Sequence, residues 1–278
     1  MTGSPTRLLA WFVVLSSLLA GCTAAPDAET QPTPSSTMTL PAAGQIDQPL
    51  PAPSGLPAGE STPAPPPPTQ PAPAPPPLPG PFALNLYQEG DFVPQYTFDW
   101  CVAASIQMAH NLMDDTGGAQ WAGRAQQNEL WDMARARSSN SFNGANPLGW
   151  AQVLTEVGLG PYEVVSIPDY QDALRTAARA ITETGRPVGL VMWSGRHAWV
   201  MSGFESVGDP ALFTDFSVTS IHVLDPLYPH GSGQWGPSPA PNSLLTPEQL
   251  STQFVVREPR RWSSGLQAGY LLVLPRQA

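Results

Sequence analysis

From position 100 to 113 the apolar residues fall at Val102, Ile106, Ala109 and Met113. That spacing fits the helical period better than strand alternation, and Asp99 stands where an N-cap is expected. The pattern predicts a helix with Cys101 in its first turn. A second helical pattern covers 119–137, with Trp121, Ala125, Leu130 and Ala134 on an imperfect apolar face and charged residues around the rest, the signature of a packing helix. A third starts at Asn146 with Pro147 in its first turn, passes Leu154 and Val157, and stops at Gly158.

Beyond Gly158 the period shortens. Residues 162–167 read as a strand, Asp169 as the cap of a helix that runs through Thr184 and ends at Gly185, and 187–193 as a buried strand. Ser194-Gly195-Arg196 is a tight turn that leads into a strand over 197–204, a loop over 205–216 and a returning strand over 218–225. A Gly/Pro/Ser-rich loop fills 226–243, Thr246-Pro247-Glu248 opens a short helix, and 269–274 is a last apolar strand. Residues 82–87 form a strand or arm ahead of the first helix. The order of elements predicts an α+β domain over 82–278, helices first and an antiparallel sheet after them.

What precedes this domain has a different character. Arg7 is followed by an apolar run over 8–20, too short to span a bilayer comfortably and of the length of a signal segment. It ends in Leu19-Ala20-Gly21-Cys22, which resembles a bacterial lipobox. The resemblance implies that 1–21 are removed and that Cys22 is acylated, which anchors the chain to the outer face of a bacterial cell membrane. Over 23–80 lie more than half of the 35 prolines. Proline-rich chain favours polyproline II, so 22–81 is read as a lipidated cysteine and a stalk that reaches about 100–180 Å.

Charge narrows the functional classes. A formal net charge of −10 leaves no footprint for nucleic acid, and Arg257, Arg260 and Arg261 read as a solvated turn. With 2 cysteines, of which Cys22 is assigned to lipid, Cys101 is left without a disulfide partner. A lone thiol in an exported protein is exposed to oxidation, which favours a nucleophile over packing. At the start of a helix, unpaired N–H groups and the helix dipole favour thiolate over thiol. Six positions earlier, Gln95 lies in an extended Val-Pro-Gln segment and can offer its amide beside the N–H of Cys101, two donors for one oxyanion.

Gln95, the six-residue step to Cys101 and the small residues Ala103, Ala104 and Ser105 resemble the active-site opening of papain-like cysteine peptidases, with the C39-like group as the nearest branch. In that group a histidine opens a later strand and an aspartate followed by proline closes the next. This chain offers Arg196-His197-Ala198-Trp199-Val200 and Val223-Leu224-Asp225-Pro226. The resemblance implies a papain-like α+β fold whose N-terminal helical part carries the cysteine and packs on a sheet carrying His197 and Asp225. It departs at Val102, where many relatives have glycine. Pairing Phe204 with Val218 would place His197 opposite Asp225 on adjacent antiparallel strands.

The expected chemistry is peptide hydrolysis in which Cys101 attacks, His197 exchanges the proton, Asp225 orients the imidazole and Gln95 holds the oxyanion. Trp100 and Trp199 are expected to line the substrate groove, with Trp193 and Trp235 as further candidates. His110 lies about two and a half helical turns past Cys101, His222 faces away from Asp225, and His230 sits in a loop. No ligand spacing suggests a metal, and no cofactor is implied. An acyl or amide transferase on the same scaffold, and a surface lipoprotein that binds without catalysis, remain open beside the peptidase.

Overall fold

The computed structural model describes residues 78–114, 118, 120–138 and 144–277. The signal segment, Cys22 and the stalk up to 77 lie outside the described residues. Strand β1 (Pro81–Asn85) precedes three helices, α1 (Cys101–Asn111), α2 (Arg124–Ala136) and α3 (Pro147–Leu154). Then come β2 (Tyr162–Ile167), α4 (Tyr170–Thr184), β3 (Val188–Met192), β4 (His197–Val207) and β5 (Ser217–Leu224). The chain finishes with a small hairpin of β6 (Gly231–Ser232) and β7 (Gly236–Pro237), β8 (Ser243–Leu245), α5 (Pro247–Ser251) and β9 (Tyr270–Pro275).

The main sheet has the order β2-β9-β3-β4-β5-β8, with β1 also paired to β4, and every pair in it is antiparallel. Strand β4 is its spine. Its first half pairs with β3 and its second half with β1, so β1 takes the edge that β3 vacates. Alternation along β4 splits the core in two, as the two-residue period of a strand requires. Ala198 and Val200 join Ala103 and Ile106 of α1 in one cluster. Trp199 and Met201 join Ala177 and Ile181 of α4 in the other. With helices on both faces, β3 is buried at all five positions, which explains its unbroken apolar run.

Helix α4 follows its sequence signals: the Asp169 side chain accepts the N–H of Asp172, and Gly185 closes the helix at φ 64°. Elsewhere the boundaries move. Trp100, not Asp99, is the residue before α1, and no side chain caps that helix; the Asp99 carboxylate accepts from the Thr97 hydroxyl at 2.8 Å instead. Helix α2 starts at Arg124, because Gly123 is still extended. Helix α3 ends at Leu154 and gives way to a π-type turn over Thr155–Leu159, in which Gly158 takes φ 88°.

The β4–β5 register also differs. Phe204 faces Ile221 rather than Val218, and the ladder shifts between Met201 and Gly203 and again between Glu205 and Ser206. At the end nearest Cys101, Val200 pairs with Leu224. His197 and Asp225 are therefore offset by two residues from direct opposition. An even offset preserves the face, and diagonal neighbours on one face are within reach of long side chains. The two side chains still meet, for a different reason from the one the sequence suggested.

Candidate active site

Cys101 is the first residue of α1. The N–H groups at a helix start have no intrahelical acceptor; the Trp100 N–H donates to the Thr97 carbonyl, and no side chain caps the others, so the thiol sits beside uncommitted backbone donors. His197 is the first residue of β4, and Asp225 directly follows β5. His197 Nε2 lies 2.6 Å from Asp225 Oδ1. That oxygen also accepts the Leu227 N–H at 2.9 Å, which fixes the carboxylate. Cys101 lines the same cleft as His197 and favours the protonated ring electrostatically. Since Nε2 is taken by Asp225, the nitrogen left for the thiol is Nδ1.

His197 and Asp225 are both buried. Burial pulls the imidazole toward its neutral form, but the bond to Asp225 and the influence of Asp225 and Cys101 outweigh it, raising the pKa from 6.5 to about 9. The ring is thus held as imidazolium through neutral pH, the partner that stabilises a thiolate.

Trp193 and Trp235, further candidates for the groove from the sequence, form a cover over this pair instead. Trp193 stacks on His197 at 4.1 Å between ring centroids, 22° from parallel. Its indole N–H donates to Gln253 Oε1 at 2.8 Å and its backbone N–H to the Gln253 carbonyl at 3.0 Å. Trp193, Ser194 and Gly195 take φ of 56°, 54° and 92°. Three successive residues in the left-handed region form a strained turn, which persists only where its surroundings over-determine it. Gln253 supplies that restraint. Trp235 continues the stack at 6.5 Å.

The segment before Cys101 is held by buried amides. Gln127 Nε2 donates to the Pro94 carbonyl at 3.2 Å and to Gln107 Oε1 at 2.7 Å, while its Oε1 accepts the Tyr96 N–H at 2.8 Å. Gln107 on α1 and Gln127 on α2 are fully buried; the sequence pattern of α2 suggested packing without chemistry. The Gln95 N–H reaches the Pro226 carbonyl at 2.8 Å and so ties the run-in to Cys101 to the residue after Asp225.

Gln95 itself is not placed as expected. Its Nε2 donates to the carbonyls of Thr97, at 3.0 Å, and Phe98, at 2.8 Å, and its Oε1 is buried without a partner. Both amide hydrogens are spent on the turn that enters α1. Turning the amide over would set Oε1 against two carbonyl oxygens, so the donors stay inward. Gln95 braces the turn, and the donors next to the thiol are the N–H groups of α1.

Cys101 and His197 line a cleft of about 650 Å³. Its helical wall is made by Phe98, Asp99, Val102, Arg135 and Trp150, and its sheet wall by Val191, Gly195, Arg196, Ala198 and Arg260, among others. Phe98 is 84% exposed, an apolar ring kept at the mouth of the cleft. The two tryptophans expected in the groove are elsewhere. Trp100 packs on Trp131 at 6.2 Å with the Arg124 guanidinium over its ring, and Trp199, in phase with Met201, is sealed in the cluster under α4. The other histidines lie apart from the pair: His110 stacks on Trp121 at 3.9 Å, and His222 reaches the Asn242 carbonyl. Among the described residues no group of three His, Cys, Asp or Glu could hold a metal ion.

No family model matches the chain, and no curated protein matches it. Among solved structures, UfSP from C. elegans is similar over 64% of this chain at 16% identity and a TM-score of 0.35, and the match spans 30% of that protein. A C39-like peptidase from Bacillus anthracis is similar over 67% of this chain at 10% identity and a TM-score of 0.35, and the match spans 94% of that chain. The functional reading rests on the geometry of the cleft.

Proposed function

We propose that this chain is a cysteine peptidase that hydrolyses peptide bonds in proteins or peptides. The observation that supports it is one buried histidine bonded to Asp225 and lining the same cleft as Cys101, with the sulfur at an uncapped helix start. In this reading Cys101 Sγ adds to the carbonyl carbon, and the N–H groups of the first turn of α1 receive the charge that develops on oxygen. His197 passes its proton to the leaving amine, the C–N bond breaks, and the acyl group stays on sulfur as a thioester. A water molecule that gives a proton to His197 attacks the thioester and releases the acid and the thiolate. The reading includes the lipid anchor at Cys22, which would keep the enzyme at the outer face of the cell membrane at the end of its proline-rich stalk.

The test is alkylation of Cys101 by iodoacetamide across pH, read by mass on the peptide that contains it, together with cleavage of a peptide library. Cys101 should be alkylated faster than a free thiol, and His197→Ala should abolish that advantage. Reaction only like an ordinary thiol would remove the peptidase reading. Library products carrying an added amine would move the chemistry from water to another acceptor. The anchor is tested separately, by loss of labelled fatty acid in Cys22→Ala.

A further inference from the structure

The 12 basic residues of the chain are all arginine; it contains no lysine. Against a net charge of −10 these cations are scarce, and their placement is uneven. Arg137, Arg175 and Arg276 are paired with Glu156, Asp172 and Glu163 on the surface. Three others, Arg135, Arg196 and Arg260, line the cleft that holds Cys101, and none of these has an acidic partner among the described residues.

What holds the three is neutral. The Arg135 guanidinium lies 4.9 Å from the Trp131 ring centre, and Arg260 gives one N–H to the Ser194 carbonyl at 3.2 Å. Arg196 is exposed on the turn that delivers His197. Each keeps donors free for a planar, bidentate acceptor such as a carboxylate. The lining contains one carboxylate, Asp99, already bonded to Thr97.

A fourth arginine strengthens the bias from beneath. Arg257 is fully buried, its Nη1 donates to the Glu258 carbonyl and the Ser263 hydroxyl, and its Nε and Nη2 have no partner. It lies against the same turn, since a Cβ at Gly195 would come within 2.9 Å of its Cδ. Burial and the like charge of Arg260 both work against its ionised form. The neighbouring Glu258 charge only partly compensates; a buried cation with unpaired N–H groups is costly, and an anion bound at the rim above it offsets part of that cost.

We propose, building on the reading of Cys101 as a peptidase nucleophile, that Arg135, Arg196 and Arg260 make the cleft select peptides with an acidic side chain close to the bond that is cut. At long range the net charge repels such substrates. Inside a cleft with low-dielectric walls the nearest charges dominate, so the selection acts at contact and weakens with salt.

Two measurements test this with different dependence on the peptidase reading. The first is kcat/KM for peptides in which Glu, Gln or Lys is moved through the residues flanking the cut, each with a free and an amidated C-terminus. At one position Glu should exceed Gln by about tenfold or more, the ratio should approach unity in Arg196→Gln/Arg260→Gln and fall with Arg135→Gln, and Arg196→Glu/Arg260→Glu should favour Lys. Equal rates for Glu and Gln, or a preference that follows the free C-terminus, overturn the proposal. The second needs no turnover: the rate of Cys101 alkylation by iodoacetate relative to iodoacetamide. His197 contributes equally in wild type and arginine variants, so a ratio that drops about tenfold in the double Gln variant supports the acidic selection even if no peptide is cut. A ratio indifferent to the three arginines, with a reactive Cys101, overturns it while leaving the nucleophile intact.

Discussion

The two walls of the cleft are positioned by different physics. On the helical wall, the approach to Cys101 hangs on amides removed from water: Gln127 holds Pro94 and Tyr96, and Gln107 holds Gln127. On the sheet wall, His197 and Asp225 sit at the ends of paired strands, with Trp193 lying over the imidazole and Gln253 holding Trp193. A few directional bonds between segments set the first, and a backbone ladder with a stacked ring sets the second. The nucleophile can therefore be detuned by losing a single amide, whereas the histidine pair stays in place until one of its own members is removed.

The sharpest break in that comparison comes from removing such a member. Asp225→Ala takes away the acceptor of a buried imidazolium and of the Leu227 N–H, so kcat/KM should fall by roughly 10³-fold or more, as should His197→Ala. Asp225→Ala should also lower Tm, since a buried donor is left unpaired at a cost of about 1–3 kcal/mol. Steady-state kinetics beside thermal melts check both, and retention of activity within tenfold in Asp225→Ala would dissolve the sheet wall as a catalytic unit.

The same pair dictates a pH dependence. The folded pKa of His197, raised to about 9, lies above its unfolded value of 6.5. Its stabilising contribution is fully present below about pH 6.5 and is lost as pH rises through about 9. Tm should therefore decline between pH 7 and pH 10, and decline less in His197→Gln. Activity should share this alkaline limb, and Asp225→Asn, which removes the charge that holds the proton, should move the limb to lower pH. An unchanged limb would mean that Asp225 does not set the protonation of His197.

On the helical wall the expected effect is smaller and of another kind. Gln127→Ala leaves Pro94, Tyr96 and Gln107 with unmatched polar groups, at a cost of about 1–3 kcal/mol. Because those bonds place the run-in to Cys101, kcat/KM should fall about tenfold through misplacement of the nucleophile. Ile181→Val, in the cluster under α4, should cost about 0.5–1.5 kcal/mol and leave kcat/KM unchanged. Equal kinetic effects of the two would erase the distinction between the walls.

Most of the architecture was legible because its signals are local. Asp169, Gly185, Pro147 and Thr246-Pro247 each act within a turn or two, and each marks a helix end found in the structure. The meeting of His197 and Asp225 was legible for a weaker reason, since strand parity survives a two-residue error in register. The bulges themselves were not, because nothing in 202–219 distinguishes a bulged strand from a regular one. The amide network stayed hidden because glutamine at a helical position reads as surface until a partner helix covers it. Trp193 was read only as a candidate for the groove, and its stacking on His197 stayed hidden because it depends on a strained turn and on Gln253, 60 residues away. The cleft arginines were dispersed along the chain and gather only on folding.

Gln95 is the smallest effect and divides the two walls most finely. In the structure its amide hydrogens belong to Thr97 and Phe98, so Gln95→Ala should loosen the turn before α1 and lower kcat/KM only a few-fold, with a modest drop in Tm. A donor aimed at the oxyanion would cost about 10²–10³ in kcat and spare stability. Catalytic bonds can also form only in the transition state, after the substrate has moved a side chain from its resting partners. Single-turnover acylation of Gln95→Ala separates the cases: a few-fold loss that tracks Tm leaves the first turn of α1 as the main oxyanion site. A loss of two orders of magnitude at unchanged Tm means that the substrate pulls the amide off its backbone carbonyls. The helical wall would then carry a moving part that the sheet wall lacks.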